Sequence, residues 1–351
     1  MILKRLFAVI FIINIIFLFS CSDSESNPNL NLNPNDEIMN DETTADRVGV
    51  DEVENELEES VIINATPEKS YDLDIVYKTF FSFPNTNTLK IDIFYPTTIK
   101  YPKTPLVVGF HGGGWIAGDK SQIMYIFSPI IQELRDQGYA VATVQYRFIS
   151  ESISFPAPAE DCIDALLYLK NNADKYNFDV NSIGVMGYSA GAQLAMLSAY
   201  AQNIFSATGE TVDIKYCLSF AGPSTMYGEE LQDYSRNTLY LLENLFKGSY
   251  AEKEEQYKKG SAHYYINGDT KKVPLLLTHD EHDDVIPYSQ STAMYKKMTE
   301  SNIPCELLTL NGIQHQIDFG RNYFNYGSFT DPTREEAIEA ILDFIYKYSG
   351  K

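Results

Sequence analysis

The stretch SIGVMGYSAGAQLAMLSA (182–199) carries an apolar run into a helical pattern through a short turn. The turn itself, GYSAG (187–191), has the spacing Gly-x-Ser-x-Gly. Between a strand and a helix this pattern indicates a nucleophile elbow, in which a strained serine projects its hydroxyl above a sheet. Glycines two residues on either side allow the strand and helix backbones to pass closely. The stretch therefore predicts an α/β fold with Ser189 as a nucleophile.

Further apolar runs alternate with helical patterns on both sides of this stretch. Two alternating segments, Asp72–Thr79 and Leu89–Tyr95, predict an antiparallel hairpin. Continuous apolar runs are typical of strands buried on both faces of a parallel sheet; they are Leu106–Phe110, Ala140–Gln145, Ser182–Met186, Ile214–Phe220, Val273–Thr278 and Cys305–Leu310. Helices are predicted near Pro129–Gln137, Pro158–Lys170, Tyr288–Thr299 and Arg334–Tyr348, with a small helical insertion between Ala221 and Lys272. The pattern predicts one domain over residues 71–351, built on a mostly parallel eight-stranded sheet with helices on both faces.

The run HGGGW (111–115) directly follows the strand Leu106–Phe110. Consecutive glycines after a buried strand favour a close approach of the backbone to a ligand. Backbone N–H groups left free in such a loop can donate to an oxyanion. We expect these groups to converge with the N–H of Ala190 above the strand ends.

A serine elbow of this kind requires an acid and then a base later in the chain. His315 is the histidine in the loop after Cys305–Leu310, and it is therefore the predicted base. Three aspartates, Asp280, Asp283 and Asp284, follow the strand Val273–Thr278 and compete for the role of the acid. The residues alone leave that choice open.

HGGGW, GYSAG and the following Asp and His resemble, over roughly residues 71–349, the α/β-hydrolase carboxylesterases. The nearest pattern is that of the hormone-sensitive-lipase-like and feruloyl/acetyl-xylan esterase group. The resemblance implies the α/β-hydrolase fold and the hydrolysis of carboxylic esters. It also implies that His111 braces the glycine loop and that the oxyanion is bound by the N–H groups of Gly113, Gly114 and Ala190.

The same resemblance places the acid four residues before Pro287, at Asp283. The sequence departs from the family pattern at Asp280, where glycine is usual. In the resulting triad, His315 would take the proton of Ser189, and Asp283 would fix the imidazole tautomer and stabilise the imidazolium.

Metal binding is an alternative reading of the cluster His279, Asp280, His282 and Asp283. The cluster lacks the helical His-Glu-x-x-His spacing of zinc hydrolases, and the serine triad already accounts for Asp283. We therefore expect neither a metal nor a cofactor, and we expect His279 and His282 to be charges on a surface loop.

Aromatic residues are frequent in two regions, and each could line a pocket or pack in the core. They are Tyr227, Tyr234 and Tyr240 in the insertion, and Phe319, Tyr323, Phe324, Tyr326 and Phe329 beyond the predicted base. Cys162 shares a helical face with leucines and is expected to be buried. Cys217 and Cys305 are predicted to lie two strands apart, about 10 Å, which is too far for a disulfide.

Residues 1–20 have a charged start and a short apolar core, which indicates a secretory signal peptide. The ending LFSC (18–21) resembles the lipobox of bacterial lipoproteins. That resemblance implies cleavage before Cys21 and a lipid anchor on it, in a membrane of the bacterial cell envelope, most simply the outer membrane. The low hydrophobicity and high negative charge of residues 21–70 predict an acidic, Asn-rich disordered tether.

The chain has a net charge of −21, and residues 1–70 contribute 4 basic and 14 acidic side chains to it. The folded part is therefore only moderately acidic, which argues against a nucleic-acid partner. The predicted function is that of a serine esterase acting on short acyl or hydroxycinnamoyl esters, either small molecules or groups on polysaccharide. The alternatives are a peptidase or amidase on the same fold, or a non-catalytic binding lipoprotein.

Overall fold

The computed structural model describes residues 66–82, 84–320 and 329–351. The predicted signal peptide, Cys21 and nearly all of the predicted tether lie outside these residues. Eight strands are present in the described part: Tyr71–Ser82 (β1), Asn85–Phe94 (β2), Thr104–Phe110 (β3), Ala140–Val144 (β4), Phe178–Tyr188 (β5), Ile214–Phe220 (β6), Leu275–Asp280 (β7) and Cys305–Leu310 (β8).

The helices connect these strands and cover the sheet. They are Gln122–Ile126 (α1), Ser128–Asp136 (α2), Ala157–Asn171 (α3), Ala173–Tyr176 (α4), Ala190–Tyr200 (α5), Gln202–Phe205 (α6), Arg236–Phe246 (α7), Tyr250–Gly260 (α8), Ser289–Glu300 (α9) and Arg334–Ser349 (α10). Two 3₁₀ turns, Gly228–Asp233 and Ala262–Tyr265, together with α7 and α8 form the predicted insertion between β6 and β7. None of the helices in the described part has the length and apolar character needed to span a bilayer.

The strands form one sheet in the order β1-β2-β4-β3-β5-β6-β7-β8. β1 and β2 pair as the predicted antiparallel hairpin, β2 also runs antiparallel to β4, and the other pairs are parallel. The predicted mostly parallel eight-stranded sheet is confirmed. Because parallel strands end at the same edge, the segments after β3, β5, β7 and β8 meet there.

Alternate residues of the central strands pack into two cores, one on each face of the sheet. On β3, Leu106 and Val108 belong to the core covered by α3 and α5, whereas Val107 belongs to the core covered by α2 and α10. Every residue of α5 is buried, which explains why this helix has no polar face in the sequence. The continuous apolar runs therefore reflect burial on both faces.

The cysteines in the described residues are free thiols. Cys217 pairs in register with Leu275, and Leu275 pairs with Cys305. The predicted arrangement of β6 and β8, with β7 between them, is confirmed.

Candidate active site

Ser189 lies in the sharp turn between β5 and α5, with a backbone φ of 55° and ψ of −120°. Its N–H donates to the carbonyl oxygen of Phe220 at 2.8 Å, which fastens the turn to the end of β6. A Cβ on Gly187 would lie 2.1 Å from the carbonyl oxygen of Gly191, and one on Gly191 would lie 2.1 Å from that of Phe110. Only glycine fits at both positions, since these distances are far inside van der Waals contact.

The structure brings Ser189, His315 and Asp283 together from three separate loops. The Ser189 hydroxyl donates to His315 Nε2 at 3.0 Å, and His315 Nδ1–H donates to Asp283 Oδ2 at 2.7 Å. Ser189 and His315 are largely buried, with 9% and 8% of their surfaces exposed. This order of donors gives His315 the tautomer that can accept a proton from Ser189.

The carboxylate of Asp283 is held by four donors. Its Oδ1 accepts from the N–H groups of Val285 and Ile286, each at 2.8 Å, while its Oδ2 accepts from His315 and, at 3.2 Å, from His279 Nε2. Burial alone raises the pKa of this carboxyl group. The facing His315 and the hydrogen bonds from His279 and His315 outweigh burial and hold the pKa well below its ordinary value.

His279 is fully buried, so the expectation that it is a charge on a surface loop is wrong. β7 continues through Asp280, two residues beyond its predicted end, so His279 belongs to a buried strand and not to the loop that follows it. Its Nε2–H is shared between Asp283 and the carbonyl oxygen of Ile286 at 2.9 Å, and its Nδ1 accepts from the hydroxyl of Ser291 at 2.7 Å. His279 therefore supports the carboxylate of Asp283. His282, by contrast, is 69% exposed, as predicted.

Tyr188, the residue before Ser189, contributes a contact that the sequence did not reveal. Its hydroxyl donates to the backbone carbonyl of His315 at 2.6 Å, and its ring lies 5.4 Å from the imidazole. The serine turn and the histidine loop are thereby joined directly. The second position of Gly-x-Ser-x-Gly, which Tyr188 occupies, is the only local signal for such a role, and it does not specify the partner.

The glycine loop lies against the serine turn, since a Cβ on Gly112 would lie 2.9 Å from the ring of Tyr188. Gly113 and Gly114 have positive φ angles of 118° and 57°. Within the described chain, no hydrogen-bond acceptor is found for the N–H groups of Gly113, Gly114 and Ala190. These groups are thus available to a ligand, as an oxyanion site requires.

Buried side chains fix the glycine loop from below. The His111 ring stacks on Tyr146 with centroids 4.3 Å apart, and the hydroxyl of Tyr146 donates to the carbonyl of His111 at 2.8 Å. Trp115 donates from Nε1 to Gln193 on α5 at 2.9 Å. Burial lowers the pKa of His111 to about 4, so its imidazole is neutral near pH 7. A neutral, enclosed ring suits a bracing role.

Two of the predicted aromatic residues, Tyr234 and Phe319, are buried in the cores, whereas Tyr240 is 46% exposed. Phe319 is fully buried and packs on Phe127 and Phe329, so it belongs to the core below the site. The predicted aromatics at 323, 324 and 326 lie outside the described residues. Leu241 on α7 approaches the glycine loop, because its Cδ1 would lie 3.4 Å from a Cβ on Gly114. The insertion therefore borders the candidate oxyanion site.

Metal binding, the alternative interpretation of the sequence cluster, would require a set of ligands held close together. No group of three or more His, Cys, Asp or Glu side chains there has the geometry to hold a metal ion. His279 and Asp283, two members of the sequence cluster, instead bind each other and backbone groups.

A family model designated BD-FAE matches residues 91–298, which is more than half of the chain. The chain belongs to the BD-FAE family. The matched residues include the glycine loop, Ser189 and Asp283, and they stop before His315.

Relatives of this BD-FAE-family chain include gut esterase 1 of Caenorhabditis briggsae, which is 33% identical over 176 residues. That match covers 46% of this chain but only 29% of the relative, so the chain spans about a third of its length. Among solved structures, a truncated carbohydrate esterase from gut microbiota aligns with a TM-score of 0.64 at 18% identity, covering 84% of this chain and 99% of the other. Esterase Est2 of Thermogutta terrifontis aligns with a TM-score of 0.62 at 19% identity, covering 80% and 96%. These structural likenesses show that the fold is the α/β-hydrolase fold.

Proposed function

We propose that the protein is a serine hydrolase that cleaves carboxylic esters through a Ser189–His315–Asp283 triad and an acyl-enzyme. The observation that carries the proposal is the continuous chain of hydrogen bonds from the Ser189 hydroxyl through both nitrogens of His315 to the Asp283 carboxylate. Each group has the donor or acceptor role that nucleophilic catalysis requires.

In the first half of the reaction, Ser189 Oγ attacks the ester carbonyl while His315 Nε2 takes its proton. His315 then gives that proton to the oxygen of the leaving alcohol, and the acyl group remains on Ser189. In the second half, His315 activates water in the same way, and the acid is released. The N–H groups of Gly113, Gly114 and Ala190 stabilise the oxyanion in both halves, at about 3–4 kcal/mol for each donor.

The substrates that we propose are short acyl or hydroxycinnamoyl esters, including those attached to polysaccharide. The names of similar proteins support an ester as the substrate. Gut esterase 1 is called an esterase, and one structural neighbour is called a carbohydrate esterase. The position of Leu241 beside Gly114 supports a short acyl group, because the side chain narrows the space next to the oxyanion site.

Labelling with a fluorophosphonate probe tests the nucleophile. The wild-type protein should be labelled at Ser189, and Ser189→Ala should not be. Rates on nitrophenyl acetate, methyl ferulate and an anilide then separate the reaction classes. A labelled protein that cleaves the anilide faster than the esters would be a peptidase or amidase, and an unlabelled, inactive wild type would be a binding protein.

We also propose that the mature protein is a lipoprotein of the bacterial cell envelope, anchored by lipid on Cys21. The support is the ending LFSC (18–21) after a short apolar core. Cys21→Ser should yield a soluble or unprocessed protein. A variant that is correctly processed and still membrane-bound would show that the anchor lies elsewhere.

A further inference from the structure

Asp280, the last residue of β7, is a fully buried carboxylate that binds three backbone N–H groups. Its Oδ1 accepts from His282 at 2.8 Å, and its Oδ2 accepts from Ile313 at 2.8 Å and from Gln314 at 2.9 Å. Within the described residues, the one basic side chain near the carboxylate is the exposed ring of His282, at 3.8 Å. The buried charge is thus stabilised mainly by the backbone of two different loops.

The two loops are the ones that carry the acid and the base of the proposed triad. On the acid side, Asp280 closes the turn at His282, and its own carbonyl oxygen accepts from the N–H of Asp283 at 3.2 Å. On the base side, the two bound residues directly precede His315. One side chain therefore connects both ends of the His315–Asp283 hydrogen bond.

The base loop has a local conformation that requires such support. Gln314 has a φ of 52°, in the left-handed region that non-glycine residues seldom adopt. The Asp280 carboxylate binds the N–H of this same residue. Tyr188 holds the loop one residue later, at the carbonyl oxygen of His315. Hydrogen bonds thus restrain the backbone on both sides of the imidazole, at the N–H of the preceding residue and at the carbonyl oxygen of His315 itself.

We propose that Asp280 is a positioning residue that sets the distance and angle between His315 and Asp283. The inference deepens the proposed function and rests on it. Glycine, which is usual at this place in the esterases that the sequence resembles, has no side chain to reach the base loop. The connection is therefore a property of this chain, and removing it should misalign His315 without removing any group of the triad.

Asp280→Asn is the direct test, because an amide of the same shape has one oxygen for the three N–H donors. At least one loop loses its acceptor and faces an NH₂ group instead. We expect kcat for nitrophenyl acetate to fall about 10- to 100-fold, the scale of a misplaced catalytic group. KM should stay within about twofold, since ground-state binding does not involve His315.

Two further readouts separate positioning from a merely structural role. The pH profile of kcat/KM should differ between Asp280→Asn and the wild type, because the variant disturbs the His315–Asp283 hydrogen bond. The low-field proton NMR signal of His315 Nδ1–H should shift or broaden. Asp179→Asn is the matched control: Asp179 also accepts from the N–H two residues later, at 2.9 Å, but it lies at the opposite end of β5. It should leave all three measurements unchanged.

A folded Asp280→Asn protein with the kcat, pH profile and low-field signal of the wild type would overturn the proposal. A lowered melting temperature with those three unchanged would also overturn it, since the role would then be stability alone. If the Asn variant does not fold, Asp280→Ser retains an acceptor for His282 and removes the reach to the base loop, and the same measurements apply. If neither variant folds, Asp280 is required for folding and the proposal is wrong.

Failure of the proposed function gives a different result. In that case the wild type is neither labelled by the fluorophosphonate probe nor active on esters. The low-field signal needs no substrate and still reports whether Asp280 positions His315. Its loss in Asp280→Asn would support positioning, and its persistence would refute it.

Discussion

Asp283→Asn is the substitution whose effect the structure specifies most closely. The N–H groups of Val285 and Ile286 both donate to Oδ1 and require an oxygen there. An asparagine must therefore place its NH₂ group at the position of Oδ2, facing His315 Nδ1 and His279 Nε2. To avoid two opposed donors, His315 must carry its proton on Nε2. That nitrogen then donates to Ser189 and can no longer accept its proton.

The wrong tautomer should lower kcat by roughly 10³- to 10⁴-fold, with the imidazolium also deprived of its counter-charge. At 1.36 kcal/mol for each factor of ten, the loss amounts to about 4–5.5 kcal/mol of transition-state stabilisation. The substitution should also lower the free energy of unfolding. Because the side chain of residue 283 is fully buried, the donor of His279 would face the new NH₂ group without an acceptor there, at a cost of about 1–3 kcal/mol.

The assay is steady-state hydrolysis of nitrophenyl acetate, accompanied by urea unfolding of each variant. Asp284→Asn is the matched control, because Asp284 is the exposed neighbour on the same turn. It should retain activity within about twofold, as expected of a surface position. If Asp283→Asn stays within tenfold of the wild type while remaining folded, or if Asp284→Asn is equally impaired, the assignment of the acid is refuted.

Three further outcomes are expected. Gly113→Ala would place a Cβ 2.0 Å from the carbonyl oxygen of Ala117, so the loop must shift. We expect kcat to fall about 10²- to 10³-fold with little change in KM. An unchanged kcat would show that this loop does not form the oxyanion site. Burial lowers the pKa of His111 from 6.5 to about 4, so between these pH values the unfolded chain binds a proton that the folded chain does not. The free energy of unfolding should therefore fall by roughly 3 kcal/mol from pH 6.5 to pH 4. In His111→Gln, the plot of this free energy against pH should be flatter over that range. Leu241→Ala should raise the kcat/KM ratio of octanoate to acetate esters by about tenfold, and an unchanged ratio would place the acyl group elsewhere.

The parts of the site that could be predicted are those encoded in consecutive residues. A buried strand, Gly-x-Ser-x-Gly and a helix follow one another within 182–199, and close packing at Gly187 and Gly191 is a local consequence of that order. The glycine loop after β3 is equally local. The base was predictable by position, because parallel strands place the loop after β8 at the same edge as Ser189.

The parts that could not be predicted depend on contacts between distant segments. His279 read as a loop charge because two polar residues, His and Asp, end β7, and a sequence pattern does not distinguish a polar strand end from a turn. The hydroxyl of Tyr188 reaches a carbonyl oxygen 127 residues away, and Asp280 reaches N–H groups 33 and 34 residues away. Choosing Asp283 among three aspartates required the family pattern, because the N–H groups that hold it become visible only in the folded turn.

The electrostatics of the site keep the carboxylate of Asp283 ionised at low pH. Asp283 is buried, which raises its pKa, yet the facing His315 and the hydrogen bonds from His279 and His315 keep that pKa well below the ordinary aspartate value of about 3.9. The stability that it contributes is therefore fully present above about pH 4 and is lost only as the pH falls through its depressed folded-state pKa. At every pH at which esterase activity would be assayed, Asp283 is ionised. A loss of activity on mild acidification would therefore not come from protonation of Asp283.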